Sequence, residues 1–126
     1  MFEIFYMELL FNLIISGILC CIIHEGSHML VAKLFFNKSI NFHFEYGNLF
    51  NFIYIPRGIW NMPNGLSRKQ QKLIAGAGFT GEFIFGIILF MIYRSFSYYY
   101  LLVALLHILL YNFYAGENSD FKFFKD

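Results

Sequence analysis

His24, Glu25 and His28 are the residues whose types and spacing point most directly to chemistry, because together they form the pattern His-Glu-x-x-His. On an α-helix, residues four apart differ by about 40° around the axis, so the two imidazoles point to one side. Two imidazole nitrogens placed in this way can bind one zinc ion, and the glutamate can reach a water on that ion. The pattern predicts His24 and His28 as metal ligands and Glu25 as the catalytic residue.

The reaction that this arrangement performs is peptide hydrolysis. Zinc lowers the pKa of a bound water toward about 7. The carboxylate accepts the proton as the water oxygen attacks a peptide carbonyl, and then passes that proton to the leaving amine. The motif lies inside an apolar run, where ionisable side chains are costly and are usually functional. We therefore expect Zn²⁺ as the cofactor.

A catalytic zinc site needs a third protein ligand. The motif lies toward one end of the first apolar stretch, so the ligand should come from the same membrane depth. Asp120 and Glu117, just beyond the third apolar stretch, meet this condition. Their expected membrane depths are too similar to show which of the two is the ligand. Glu82 lies nearer mid-depth, where it could pair with a metal-site histidine, bond across helices or stay protonated. His107 is deeper still and is interpreted as an interhelical hydrogen-bonding residue.

The composition predicts the environment of these residues. Of the 126 residues, 59% are hydrophobic and only 13% are charged, whereas soluble domains are about half apolar and about a quarter charged. A chain this small cannot bury such an apolar excess, so we expect the lipid bilayer to cover it. The net charge of +1 argues against nucleic acid as a partner.

Three apolar stretches are long enough to cross a membrane, which takes about 20 helical residues. We expect one membrane-embedded core over residues 1–126, with helix 1 at about 9–36, helix 2 at about 73–93 and helix 3 at about 98–115. The first stretch lacks a preceding basic segment, so it is interpreted as a retained helix and not a signal peptide.

Basic residues predict the orientation. Eight of the nine lysines and arginines lie between the first two stretches, at their edges, or after the third. The positive-inside rule makes that side cytoplasmic. We expect an integral, multi-pass protein with its N-terminus outside and its C-terminus in the cytoplasm. The richness in Phe, Ile, Asn and Lys favours a bacterial cell membrane.

The connection between helices 1 and 2 predicts a β-hairpin at about 40–55. Ile40, Phe42 and Phe44 alternate with polar residues, which is typical of a strand with one apolar face. Gly47-Asn48 predicts the turn, and a return strand is expected to end before Pro56. The edge of such a hairpin could pair with an extended substrate. The predicted fold class is an all-α membrane protein of three transmembrane helices with this β-hairpin.

These features resemble the site-2 proteases, the intramembrane zinc metalloproteases with a core of three transmembrane helices. That family carries His-Glu-x-x-His on its first core helix, and a glycine-rich motif on its second that Ala75–Gly81 resembles. Its third ligand is an aspartate eight residues after an asparagine, as Asp120 is after Asn112. The resemblance implies Asp120 as the third ligand and Asn112 as an amide that orients substrate or site. The family's prolines before the aspartate and its glycine after it are missing here.

The leading hypothesis is an intramembrane zinc endopeptidase that cleaves transmembrane or membrane-associated peptides by metal-activated water. Substrate-binding residues would be Asn112 and the hairpin residues Ile40, Phe42 and Phe44. The chain is expected to act on small substrates or to recruit a partner, either a second copy in a homo-oligomer or another protein. One alternative is a non-proteolytic metal-binding membrane protein, such as a substrate-capturing or immunity factor. Another is a transporter or channel lined by His24, His28, Glu82 and His107.

Overall fold

The structure, a computed structural model, describes residues 2–49, 52–115 and 119–124. In chain order these form helix α1 (Phe2–Phe36), strands β1 (Phe42–Leu49) and β2 (Ile53–Trp60), helix α2 (Arg68–Ile92), helix α3 (Arg94–Ala115) and a 3-10 helix (Asp120–Phe124). The prediction of three long helices with a strand hairpin after the first is confirmed. Each helix begins several residues earlier than the apolar stretches predict.

All three helices are long and apolar enough to cross a membrane. Many of their large apolar side chains lie on the outer surface of the bundle, among them Leu10, Ile14 and Ile18 of α1. Soluble monomers rarely expose continuous apolar surfaces of this extent. The architecture is therefore consistent with a multi-pass membrane protein.

One face of α1 is buried, and it repeats every fourth residue: Ser16, Cys20, His24, His28 and Ala32. Residues four apart lie above one another on a helix, so this row forms the contact with α2 and α3. The two histidines belong to this row, and helix packing therefore directs both imidazoles into the bundle.

Helix α2 begins at an N-cap formed by Ser67. The Ser67 hydroxyl accepts a hydrogen bond from the Gln70 amide at 3.3 Å, and the Gln70 side chain accepts one from the Ser67 amide at 2.9 Å. This reciprocal capping box satisfies two amide groups that the first helical turn leaves unpaired. Further along, α2 buries the small residues Ala75, Ala77 and Gly78, which let α1 approach closely.

The hairpin turns later than the sequence predicts. The predicted turn at Gly47-Asn48 is wrong, because β1 continues to Leu49, which pairs with Ile53. The predicted end of the return strand before Pro56 is also wrong, since Pro56 lies within β2 and pairs with Tyr46. Proline lacks an amide donor, but each strand of a two-stranded sheet has an outer edge where no donor is needed.

Ile40 is the third correction in this segment. It lies before β1 and is buried with Ala32, Trp60 and Ile74 in a small core beneath the hairpin. It is therefore not part of the predicted strand, because an alternating pattern does not reveal which apolar residues are covered by another element; its predicted role in substrate binding stays a prediction. Phe42 is half-buried against this core, whereas Phe44 is 55% exposed.

Candidate metal centre

The structure places the imidazoles of His24 and His28 side by side inside the bundle. Each residue is 1% exposed, and their ring centroids lie 4.8 Å apart. Gly78 of α2 faces both rings: a Cβ atom at this position would lie 2.5 Å from Cε1 of His24 and 2.7 Å from Nε2 of His28. The backbone of α2 thus forms one wall of the site, at a distance that a side chain would not allow.

Asp120 reaches the same point from the 3-10 helix. Its Oδ2 atom lies 2.8 Å from Nε2 of His24 and 2.8 Å from Nε2 of His28, and the residue is 1% exposed. Burial disfavours the charged carboxyl, but contact with the two imidazoles outweighs this effect and holds the pKa of Asp120 well below its usual value. The site therefore brings one carboxylate oxygen within hydrogen-bonding distance of two imidazole nitrogens.

The opposite nitrogen of each imidazole has its own partner. Nδ1 of His28 donates to the Ile74 carbonyl at 2.7 Å, and Nδ1 of His24 lies 3.4 Å from Oε2 of Glu82. A proton held on Nδ1 leaves the Nε2 lone pair for a metal, and partners of this kind orient most metal-binding histidines in proteins. Partners on Nδ1 would keep both Nε2 atoms directed at a metal when an ion is bound.

The donor set could hold a metal ion. Two imidazole nitrogens and one carboxylate oxygen, all within 4.8 Å of one another, are a common set for catalytic zinc, which keeps its fourth position for water or substrate. Ligand atoms in a tetrahedral zinc site lie roughly 3.3 Å apart. The observed separations of 2.8 Å need only a small outward shift to accommodate the ion.

Glu25 follows His24 in the chain, and its carboxyl group lies against the hairpin. The residue is 7% exposed, and its Oε2 atom has no hydrogen-bond partner among the described residues. Its carboxyl group packs so closely against Gly58 of β2 that a Cβ atom there would overlap it. Buried carboxylate oxygens are nearly always hydrogen-bonded, so an Oε2 atom without a partner among the described residues marks Glu25 as a candidate functional residue.

Trp60 is the main site residue that the sequence analysis missed. Its indole Nε1 donates to Oδ1 of Asp120 at 3.1 Å, while its ring lies 4.6 Å from that of His28 and stacks on Phe123. The indole thus fixes Oδ1 of the carboxylate, while Oδ2 faces the two imidazoles. The sequence analysis ended the return strand before Pro56, whereas β2 continues to Trp60 and brings the indole to the motif.

The remaining predicted residues fall in different places. Glu82 and His107, which the sequence places deeper in the membrane than the motif, both lie beside His24. Asn112 lies in α3, but its side chain is outside the described part of the structure, as is Glu117 as a whole. The predicted roles of Asn112 and Glu117 therefore stay predictions.

Substitution of Gly78 by alanine should weaken binding of a metal ion such as Zn²⁺, because the new methyl group would collide with both imidazoles. Overpacking costs roughly 1–3 kcal/mol, which corresponds to a loss of affinity of about 5- to 150-fold. Competition with a chelator in detergent solution measures this loss. Gly26→Ala is the matched control, since no described atom beyond its own stretch of helix lies within 4 Å of its new Cβ. Equal affinity in the two variants would contradict the close approach of α2.

Comparisons with protein-family models, with curated proteins and with solved structures give no match for this chain.

Proposed function

We propose that the chain is an intramembrane zinc endopeptidase of the site-2 protease type. The observation that carries this proposal is the position of Asp120, whose Oδ2 atom lies 2.8 Å from both motif imidazoles although it follows His24 by 96 residues in the chain. Two histidines four apart on a helix share a face whatever the rest of the fold does, so they alone are weak support for a metal site. A buried carboxylate brought to the same point by the far part of the chain completes the ligand set of a catalytic zinc site.

The catalytic roles follow from the contacts around this point. A zinc ion, when bound, supplies Lewis acidity that activates a water for attack on a peptide carbonyl. His24, His28 and Asp120 would hold the ion. Glu25 takes one proton from the water as the new C–O bond forms, and it returns that proton to the amine nitrogen as the C–N bond breaks. Its unpaired Oε2 atom is the acceptor for this proton.

The substrate in this proposal is a transmembrane or membrane-associated peptide. Carbonyl groups inside an intact helix are already hydrogen-bonded and shielded, so the substrate must unwind locally before water can attack it. The two-stranded sheet has two outer strand edges, and Gly58 places β2 beside Glu25. A peptide added to this sheet as an extra strand would lie near the catalytic carboxylate, with Phe42 and Phe44 as candidate contacts.

The cellular setting is part of the same proposal. The three apolar helices would cross a bacterial cell membrane, with the basic residues and the C-terminus on the cytoplasmic side. In this orientation the hairpin and the 3-10 helix approach the site from the cytoplasmic half of the bilayer. A second copy of the chain or another protein would supply regulation.

Metal analysis together with a cleavage assay tests the proposal. We expect one zinc ion per chain in protein purified without chelator. We also expect cleavage of at least one peptide from a panel of transmembrane peptides in detergent or vesicles, lost with a chelator and restored by Zn²⁺. Protein that neither contains zinc nor takes it up would refute the assignment.

A second candidate is a metal-binding membrane protein without protease activity. The enclosure of the site favours it, since His24, His28 and Asp120 are each 1% exposed and Trp60 covers His28. Metal sites with a structural role are closed, whereas catalytic sites keep an open position. Stable zinc binding with no cleavage of any peptide in the panel would support this candidate.

A further inference from the structure

Glu82 is a buried acidic residue that the proposed reaction does not use. It is 0% exposed and lies within α2, on the face that packs against both other helices. A carboxylate removed from water in this way is tolerated only when charged or hydrogen-bonding groups surround it. The contacts of its two oxygen atoms therefore show what the side chain does.

The two carboxylate oxygens of Glu82 face two different histidines. Oε2 lies 3.4 Å from Nδ1 of His24, and Oε1 lies 2.5 Å from Nδ1 of His107 in α3. The side chain thus links a residue of α1 to a residue of α3, and the whole row continues through Nε2 of His24 to Asp120. The order of contacts is His107, Glu82, His24 and then the metal position.

We propose that Glu82 is a positioning residue that orients His24 for the ion, and that His107 in turn holds Glu82 in place. This inference rests on the proposed zinc site and goes beyond it, because it assigns a role outside the ligand set. The Ile74 carbonyl orients His28 by accepting a hydrogen bond from its Nδ1 atom at 2.7 Å. Glu82 orients His24 in the same way, through the Nδ1 atom of that imidazole. A carboxylate partner also makes the imidazole a stronger electron donor to a metal.

A carboxylate differs from a carbonyl oxygen in this position because it carries charge. Glu82 adds one negative charge in direct contact with a proposed ligand, which favours a cation at the metal position. A carbonyl oxygen at the same place would fix the imidazole but would add no net charge.

Glu82→Gln tests the inference, because glutamine keeps the size of the side chain and removes its charge. We expect zinc affinity, measured by chelator competition, to fall about 10- to 100-fold. We also expect the absorption bands of the Co²⁺-substituted protein to shift, since the donor strength of His24 changes. A role in helix packing alone would leave the Co²⁺ spectrum unchanged.

Tyr100→Phe is the matched control. The Tyr100 hydroxyl donates to the backbone carbonyl of Glu82 at 3.0 Å, so its loss loosens the same contact between α2 and α3 without touching the carboxylate. We expect zinc affinity within about twofold of wild type in this variant. Similar losses in both variants would overturn the inference in favour of a packing role.

The other outcomes are also decisive. Wild-type protein that binds no zinc would remove the proposed function itself. Wild-type protein that binds one ion, with equal affinity in Glu82→Gln, would overturn only the positioning role. Two ions per chain would overturn it as well, because His24, Glu82 and His107 could together hold a metal and would then be ligands of a second site.

Discussion

Glu25→Gln should reduce peptide cleavage by about 100- to 10,000-fold, the range that a positioned general base contributes. Glutamine has nearly the same shape as glutamate, so it fits the space against Gly58, but its amide does not accept the proton of an attacking water. Zinc content should remain at the wild-type level, because the proposed ligands His24, His28 and Asp120 are unchanged. Cleavage of a transmembrane peptide, measured beside zinc content in the same preparation, checks both parts.

Glu3→Gln provides the control for this substitution. Glu3 lies in the first turn of the same helix and is exposed, so the same chemical change there should leave cleavage at the wild-type rate. A Glu25→Gln protein that cleaves within about tenfold of wild type would exclude Glu25 as the general base. Loss of zinc together with activity would instead indicate a structural role for its carboxylate.

Asp120→Ala should lower zinc affinity by more than about 100-fold, beyond the loss expected for an outer partner of a ligand. The substitution removes the only oxygen that lies 2.8 Å from both imidazoles among the described side chains. It also leaves the Trp60 indole without the acceptor that it contacts at 3.1 Å. Metal analysis after dialysis, followed by chelator competition, measures the effect.

Two further variants sharpen this test. Lys122→Ala changes an exposed residue of the same 3-10 helix and should keep zinc, which separates loss of a ligand from disturbance of the segment. Glu117→Ala removes the other acidic residue that the sequence offers as third ligand, and it should also keep zinc. Zinc loss in Glu117→Ala but not in Asp120→Ala would assign the third ligand to Glu117.

Several parts of this protein were predictable from local patterns. Apolar runs of about 20 residues predict helices of membrane-spanning length, and three such helices are present. The spacing of His24 and His28 predicts that the imidazoles share a face, since four residues complete slightly more than one helical turn. Ser67 was predictable as a cap because its role depends on Gln70, only three residues away.

The hairpin shows where local patterns fail. Gly47-Asn48 has the composition of a tight turn, and Pro56 usually ends a strand, yet both lie inside strands of the sheet. Strand pairing depends on the partner as well as on each segment, and an outer edge tolerates a residue that the centre of a sheet would exclude. Ile40 lies in the core for a similar reason: Ala32 and Ile74, from two other elements, cover it.

The sequence by itself determined the three helices, the presence of a hairpin and the pair of imidazoles that point in one direction. The tertiary structure decided that Asp120, which the sequence offered beside Glu117, meets this pair. It alone decided that Trp60 holds the carboxylate and that Glu82 lies behind His24. Helical periodicity arises from backbone geometry, so it can be recognised from the types of residues that are close in sequence. Contacts between residues some 60 to 100 positions apart depend on how helices and strands pack against one another, which no local pattern encodes.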